Sequence, residues 1–382
     1  MSVADLTRNA VDVLPEGALE EKLKLGRPLR IKLGIDPTSP DLHLGFAYAL
    51  ENLHAFQEAG HEIVLIVGDY TARIGDPSGR SAERPVLDGE LLDANAKEFE
   101  QQAYRIIDPE RTTVRFNGEW LGKLTYEETV RLCRTMTVAR LLERDDFAKR
   151  FAAHAPISLS ELLYPLMQAY DSVAIEADIE VGGTDQLYNL LAGRDVMTQY
   201  GLEPQTVITY PLLIGLDGEE KMSKSKGNYI AVQDPPEEMF GKVMSIPDDL
   251  LEQWWSICLG RESAQGDPME SKLELARGIV EKWHGAEAAK RAEDHFTRVV
   301  REGEAPEEVP EAALPGDGTV HLPALLVEHL AIGSTSEARR LIAQGAVKVN
   351  GEIVSELDLP REALEGALLQ AGKRRFMRFR AA

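Results

Sequence analysis

The sequence predicts an α/β protein: a Rossmann-like parallel sheet carrying a helical insertion, then a helical middle domain and a small α+β C-terminal domain. Three observations predict this. Residues 29–35 (LRIKLGI) and 62–68 (EIVLIVG) are short, apolar and rich in β-branched side chains, and they flank a helix-period segment at 43–59. Strand, helix and strand of that length make a βαβ unit, which implies a parallel sheet with a right-handed crossover. After residue 230 the texture changes to helices broken by proline and glycine. The last 64 residues (319–382) contain Asn350-Gly351 between alternating apolar and polar positions, the strongest short hairpin signal.

Each element has a local reason. In 43–59 (HLGFAYALENLHAFQEA) apolar positions recur at helical spacing, and Gly60 is placed as a stop. A third strand is expected at 206–214 (TVITYPLLI). Helices are expected at 90–108, 126–150 and 158–172, between the strands, as an insertion around 85–180. The expected layout is a sheet domain over 1–229, helices over 230–300, an acidic linker over 301–318 and a terminal module over 319–382. The linker REGEAPEEVPEAALPGDG holds three prolines, six acids and no apolar period. In the module, Pro323 can start a helix at 322–330. Ser334 and Glu337 form a capping box ahead of a second helix, which Gly345 can close.

Composition narrows the function. Hydrophobic residues make up 43% of 382, enough for a sizeable core. No apolar run approaches the ~20 residues of a membrane span, so no membrane contact is expected. The acidic N-terminal stretch has no apolar h-region, so neither a signal nor a transit peptide is expected. The two cysteines, Cys133 and Cys258, form neither a disulfide framework nor a metal set, and a cytoplasmic location is the simple expectation. Net charge is −22, which disfavours nucleic acid, and no DNA partner is expected. The charge is uneven, however. Residues 319–382 hold nine Lys/Arg against seven Asp/Glu, and the final KRRFMRFRAA has five cations, no anion and two phenylalanines. Such a tail suits an RNA backbone and its bases, and equally a solvated terminal strand.

Four patches carry candidate chemistry. In GIDPTSPDLHLGF (34–46), His43 and Gly45 stand at a helix mouth, where free N–H groups attract anions, and Asp36 and Thr38 follow a strand end. A capped core helix with an incidental histidine reads the same way. IGDPSGRSAER (74–84) offers Asp76 for an ammonium group and Arg80 and Arg84 for phosphate, or is simply a surface turn. In 161–186, Tyr164, Gln168 and Asp171 fall at i, i+4 and i+7, one helical face suited to a polar small molecule or to solvent. The diglycine of VGGTDQ lets the backbone touch a ligand beside Asp185 and Gln186. LDGEEKMSKSKGN (216–228) packs Lys221, Lys224 and Lys226 among small residues, a loop able to neutralise a departing polyphosphate.

HLGF followed 178 positions later by KMSKS resembles the two signatures of class I aminoacyl-tRNA synthetases. KLGIDPTSPDLHLG, IGDPSGRSAER, LLYPLMQAYDS, VGGTDQ and KMSKS, in that order, are similar to the bacterial tyrosyl branch. The terminal module resembles an RNA-binding fold shared with a ribosomal small-subunit protein. The resemblance covers essentially the whole chain.

It implies that L-tyrosine is activated with ATP to tyrosyl-adenylate plus pyrophosphate, then passed to the 3′ end of tRNA(Tyr). No side chain becomes covalently attached. Mg²⁺ accompanies ATP as substrate, with no protein-bound metal and no tightly bound cofactor. His43 and Thr38 would meet the outer phosphates, with Arg80 and Arg84 also on the catalytic side. Lys221 and Lys224 would close over pyrophosphate. Asp36, Gly45, Phe46, Asp185 and Lys224 would bind the nucleotide. Asp76, Tyr164, Gln168 and Gln186 would hold tyrosine, and Asp171 would accept from its phenol. Arg339, Arg340, Lys348, Lys373, Arg374 and Arg375 would contact tRNA. The resemblance also implies a homodimer formed through the insertion. Two departures stand out. Phe46 occupies a position commonly His, so one nucleotide contact is missing. Lys32 stands where another branch has a Tyr that helps bind the phenol, which leaves the second phenol partner open. The rival readings are a tryptophanyl-type enzyme, which shares both signatures, and a non-catalytic RNA-binding paralogue.

Overall fold

The computed structural model describes residues 2–77, 89–262, 266–302, 309–314, 318–372 and 375–380. The chain forms two compact units, one of residues 1–234 and 245–268, the other of 235–244 and 269–382.

The first unit begins with α1 (Val3–Leu6), β1 (Asp12–Leu14) and α2 (Ala18–Leu23), and then β2 (Arg30–Ile35), α3 (Leu44–Glu58) and β3 (Glu62–Val67) form the expected βαβ unit. After α4 (Gly89–Ala103), β4 (Thr112–Phe116) adds a further strand, followed by α5 (Gly118–Leu121). The expected helix at 126–150 is three: α6 (Tyr126–Cys133), α7 (Val138–Leu141) and α8 (Asp145–Ala152). The restart at α7 has a cause, because the Thr137 side chain accepts from Arg140 N at 3.2 Å and so caps a new helix. Next come α9 (Leu159–Ile175), β5 (Ile179–Gly183), α10 (Leu187–Gln199) and β6 (Thr206–Tyr210).

These six strands pair in the order β1-β6-β5-β2-β3-β4, with β1 antiparallel and the others parallel. The expected insertion over 85–180 is therefore not wholly outside the sheet, since β4 lies within it. TTVRF has too few apolar residues to be distinguished from its helical neighbours by period alone. The order has one functional consequence. The chain builds outward from β2 through β3 to β4, then returns to the other side of β2 with β5 and β6. The carboxyl ends of β2 and β5 therefore flank the switch point where open α/β sheets bind ligands. At that point Gly34 is exposed although its strand is otherwise largely buried, so the floor of the crevice is bare backbone.

One buried residue breaks the apolar rule. Lys32, in the middle of β2, is 0% exposed and meets Glu180 of β5 at 2.8 Å. Its ammonium also donates to Gln168 O and Ser172 Oγ of α9, both at 2.8 Å.

In the second unit, α11 (Pro236–Val243) packs Phe240 against Phe296 of a later helix, ring centroids 5.5 Å apart. α12 (Leu251–Leu259) belongs to the first unit, where Trp254 Nε1 donates to Ile214 O at 3.1 Å. α13 (Pro268–His284) and α14 (Ala286–Phe296) follow. The segment expected as an acidic linker contains β7 (Glu311–Ala313), which pairs in parallel with the final strand. Glu311 explains part of this, because its carboxylate meets Arg380 across the pair.

The remaining elements are β8 (Thr319–His321), α15 (Leu322–His329), α16 (Thr335–Ala343), β9 (Val347–Val349), β10 (Glu352–Ile353), β11 (Asp358–Pro360), β12 (Leu368–Ala371) and β13 (Arg375–Arg380). Asn350 and Gly351 have φ of 51° and 87°, the left-handed pair that a tight hairpin demands. Ser334 caps α16 as expected, while the Glu337 carboxylate reaches the amide of Gly333 and not that of Ser334.

Candidate active site

The crevice at the switch point is lined from five directions: the ends of β2, β3 and β5, the mouth of α3, and one face of α9. It has a phosphate-like end and a polar end, and both can be built from their residues.

At α3, His43 is the N-cap residue, and its Nδ1 accepts from Phe46 N at 3.4 Å. A ring nitrogen that accepts from an amide carries no proton, so in the neutral ring the proton sits on Nε2. Burial, reinforced by the charges of Lys224 and Lys221, lowers the His43 pKa to about 3, so the ring is neutral at physiological pH. Gly45 lies directly behind it. A Cβ there would stand 3.3 Å from His43 Nδ1 and 3.6 Å from Leu213 Cβ, so a side chain at this position would crowd the capping ring. Phe46 packs edge-on to both His43 and Phe99, with centroids 5.2 and 5.8 Å away.

The lysine loop folds back onto this mouth. Lys224 Nζ donates to Ser39 O at 2.7 Å and lies 5.8 Å from the Phe99 ring. Burial lowers its pKa to about 8, and Asp41 acts in the opposite direction. Lys221 forms an ion pair with Asp185, so the loop also touches the end of β5. Thr38 is half-buried, and its amide donates to Asp36 O at 2.8 Å.

The polar end is held by α9. Tyr164 OH donates to Asp36 Oδ2 at 3.1 Å, and Thr71 Oγ1 donates to Asp36 Oδ1 at 2.9 Å. Asp36, grouped with nucleotide residues on sequence grounds, is thus placed among the residues grouped with tyrosine. Gly68 makes room for it, since a Cβ there would stand 2.2 Å from Asp36 Oδ1. Gln186 Nε2 donates to Asp76 Oδ2 at 2.8 Å, and Asn189 Nδ2 donates to Gln168 Oε1 and to Gln186 Oε1, both at 3.1 Å.

Asp171 is 3% exposed. Trp120 Nε1 donates to its Oδ1 at 2.8 Å and Asn117 Nδ2 to its Oδ2 at 3.3 Å. Burial raises its pKa to about 7, while Lys32 and those two donors pull the other way. Sequence reasoning missed Asn117, Trp120, Thr71, Arg144 and Asn189. A signal existed for the first two: FNGEW follows β4, and polar or aromatic residues after a strand's carboxyl end are where such sheets place their ligands.

Four candidates, Arg80, Arg84, Lys373 and Arg374, lie outside the described residues. In the second unit, Arg339 and Arg340 are exposed on α16, because Ala338 and Ile342 take the buried face. Lys348 is half-buried in β9, and Arg375 is exposed at the start of β13.

A switch-point crevice with a histidine at one helix mouth and a lysine loop folded onto it sits in a chain whose family is shown by comparison with known proteins. The family model of class I tRNA synthetases (W and Y) matches residues 24–301, and that of the S4 domain matches 322–358. The chain belongs to the class I tRNA synthetases of the W and Y group. Within it, the tyrosine–tRNA ligase of Geobacter sulfurreducens is 49% identical, covering 99% of each chain. Those of Moorella thermoacetica and Thermotoga maritima are each 48% identical, covering 98% of this chain and 94% and 96% of theirs. Among solved structures, the tyrosyl-tRNA synthetase of Aeropyrum pernix shares the fold, with a TM-score of 0.59 at 23% identity over 79% of this chain and 98% of that one.

Proposed function

We propose that the switch-point crevice is where this chain joins tyrosine to ATP. The reaction is tyrosine–tRNA ligation. A carboxylate oxygen of tyrosine attacks the α-phosphorus of ATP, the bond to the β-phosphate breaks, and pyrophosphate leaves. A ribose hydroxyl at the tRNA 3′ end then attacks the tyrosyl carbonyl, and AMP leaves.

The geometry supports the following residue roles. Neutral His43 offers Nε2–H to a phosphate oxygen, and the α3 amide dipoles favour the same charge. Lys224 and Lys221 supply cationic donors to the departing pyrophosphate, and Thr38 stands beside them. Mg²⁺ enters with ATP as part of the substrate. Gly34 and Gly45 leave space for the nucleotide, and Asp185 suits its ribose. Asp76, Gln168 and Gln186 offer oxygens to the α-ammonium, with Tyr164 and Asp36 next to them. Asp171, fixed through both oxygens, accepts from the phenol hydroxyl. Asn117 and Trp120 are the donors that aim it.

That fixed, buried carboxylate is the observation that carries the reading. Phenylalanine would leave one acceptor position of this carboxylate facing an apolar ring without a donor, which costs about 1–3 kcal/mol or more for a charge. Pyrophosphate exchange with each amino acid tests it. Exchange should depend on tyrosine, not tryptophan, and Asp171→Ala should narrow the preference for tyrosine over phenylalanine by ~10-fold or more. A preference unchanged by Asp171→Ala rejects the role.

The basic α+β module is read as a tRNA-contacting element through Arg339, Arg340, Lys348 and Arg375. A homodimer formed through the insertion is supported by apolar side chains open to solvent there: Tyr126 at 86%, Phe151 at 63% and Val138 at 60% exposure. Two cysteines with no disulfide between them fit a reducing cytoplasm.

A further inference from the structure

Arg144 stands between α7 and α8, in a helical segment with no assigned part in the chemistry, yet its side chain is buried. Two of its nitrogens are taken by one carboxylate: Nε meets Asp146 Oδ1 and Nη2 meets Asp146 Oδ2, both at 2.7 Å. This fork–fork contact fixes the plane of the guanidinium. Its Nη1 then donates to Asn189 Oδ1 at 3.1 Å.

The chemical point is one of polarity. The oxygen and nitrogen of an amide side chain are nearly equal in size, so packing alone does not choose between its two orientations. A guanidinium has five donors and no acceptor. Asn189 must therefore turn its oxygen toward Arg144, and its nitrogen faces the crevice. That nitrogen donates to Gln168 Oε1 and Gln186 Oε1. With its oxygen so engaged, Gln186 points its own nitrogen at Asp76 Oδ2, 2.8 Å away. The orientation set at Arg144 is handed through two amides, Asn189 and Gln186, to the Asp76 carboxylate, with Gln168 as a side branch. Arg144 Nη2 lies 3.9 Å from Asp76 Oδ1, which closes the loop. Each glutamine oxygen keeps a second lone pair on the crevice side.

We infer that Arg144 is a positioning residue for amino-acid recognition: it orients Asn189, and through it Gln168 and Gln186, so that the group around Asp76 presents oxygens to an ammonium ion. This rests on the reading of Asp76, Gln168 and Gln186 as the ammonium cradle. If the relay were released, a flipped Gln186 would set its oxygen against Asp76 and its nitrogen toward the ammonium, a repulsive arrangement at both ends.

The test separates the ammonium from the rest of the ligand. Dissociation constants of the full chain are measured by calorimetry for L-tyrosine and for 3-(4-hydroxyphenyl)propionate, which keeps the phenol and carboxylate but lacks the ammonium. Arg144→Gln keeps a hydrogen-bonding side chain, though a shorter one, and loses the donor-only character, while Arg144→Lys retains that character. Arg144→Gln should weaken tyrosine by ~10-fold, about one hydrogen bond to a charged group, and leave the analogue within twofold. Arg144→Lys should restore most of the difference. In pyrophosphate exchange the KM for tyrosine should rise while the KM for ATP stays.

Equal weakening of both ligands would mean that Arg144 supports only the fold, and no weakening of either would mean that it does nothing to the cradle. Either result overturns the inference. Asp76→Asn is the control for the underlying reading. If it collapses the ratio and Arg144→Gln does not, the relay alone is wrong. If Asp76→Asn leaves the ratio intact, the cradle itself is wrong, and the relay falls with it.

Discussion

The most demanding claim concerns Lys32. Replacing it by methionine keeps most of the stem and removes the ammonium. Glu180, with its side chain 2% exposed, would still accept from Ser172 Oγ at 2.9 Å and Gln205 Nε2 at 2.8 Å. Its charge, however, would have no partner, and Gln168 O would lose the ammonium as a donor. Breaking a buried pair from one side costs about 3–5 kcal/mol, whereas removing both charges is often close to neutral. For a unit of this size each kcal/mol lowers the melting temperature by about 2–4 °C, so Lys32→Met should lose roughly 6–20 °C. Lys32→Met/Glu180→Gln should recover most of it. Melting followed by circular dichroism at fixed pH is the assay. A single variant within about 2 °C of the parent would refute the view that this pair ties β2 and β5 to α9.

A second readout follows from the same charge. Lys32 favours the ionised form of Asp171, Glu180 disfavours it, and burial has already brought the carboxyl to about 7. Removing Lys32 therefore raises the Asp171 pKa further. If the ionised carboxylate is what accepts from the phenol, tyrosine affinity grows as pH rises through that pKa. In Lys32→Met the rise should move to higher pH. In the double variant it should move less, and in Asp171→Asn it should vanish. The sign for stability is opposite. The folded state binds this proton more tightly than the unfolded chain, whose value is near 3.8, so ionisation of Asp171 costs stability between about pH 4 and pH 7. An affinity profile that does not move in Lys32→Met would separate Lys32 from phenol recognition.

Three further predictions concern the phosphate end and the terminal module. His43→Ala should slow pyrophosphate exchange by ~10²–10³, the usual loss for one preorganised donor, while His43→Asn, which keeps an N–H, should retain more. Because Lys224 is held near 8, its charge is lost as pH rises through that value, so exchange should decline above about pH 8 and Lys224→Arg should extend the plateau. A decline unaffected by Lys224→Arg would assign it elsewhere. Combining Arg339→Glu, Arg340→Glu and Arg375→Glu should lower tRNA charging and flatten its salt dependence, with tyrosine activation unaltered. Equal charging by the triple variant would remove these arginines from the tRNA contact.

What could be read from the sequence was set by how locally each feature is determined. The β2–α3–β3 unit was legible because strand period, helix period and Gly60 agree within 40 residues. The hairpin at Asn350-Gly351 was legible because the turn needs two left-handed residues. β4 and β5 were not, because TTVRF and IEVGG owe their strand state to neighbours far away in the chain. The same division runs through the site. His43, Gly45 and the lysine loop lie in recognisable runs. Asn117, Trp120, Arg144 and Asn189 contact partners 21 to 54 residues distant, and no spacing rule reports such contacts. Lys32 was visible as a departure from the expected residue, but its partner Glu180 became visible only once β5 was placed beside β2.

A chain of net charge −22 that takes a polyanionic substrate needs its electrostatics solved locally. The two ends of the crevice do this in different ways. At the α3 mouth, burial keeps His43 uncharged, so it serves as a donor without adding to the repulsion between nearby cations. Lys224 is lowered to about 8 by the same burial, which leaves it mostly charged at neutral pH. At the other end, Asp36 accepts from Tyr164 and Thr71 and Asp171 from Asn117 and Trp120, all neutral donors, whereas Asp76 accepts from Gln186 and has the Arg144 guanidinium 3.9 Å away. Neutral donors fix a carboxylate without cancelling its charge. Under the proposed reading, the phenol meets an Asp171 carboxylate aimed by neutral donors. A direct lysine ion pair to Asp171 would aim it equally well and would leave much less for the substrate to bind. Lys32, whose charge favours the ionised form of Asp171, is accordingly paired with Glu180.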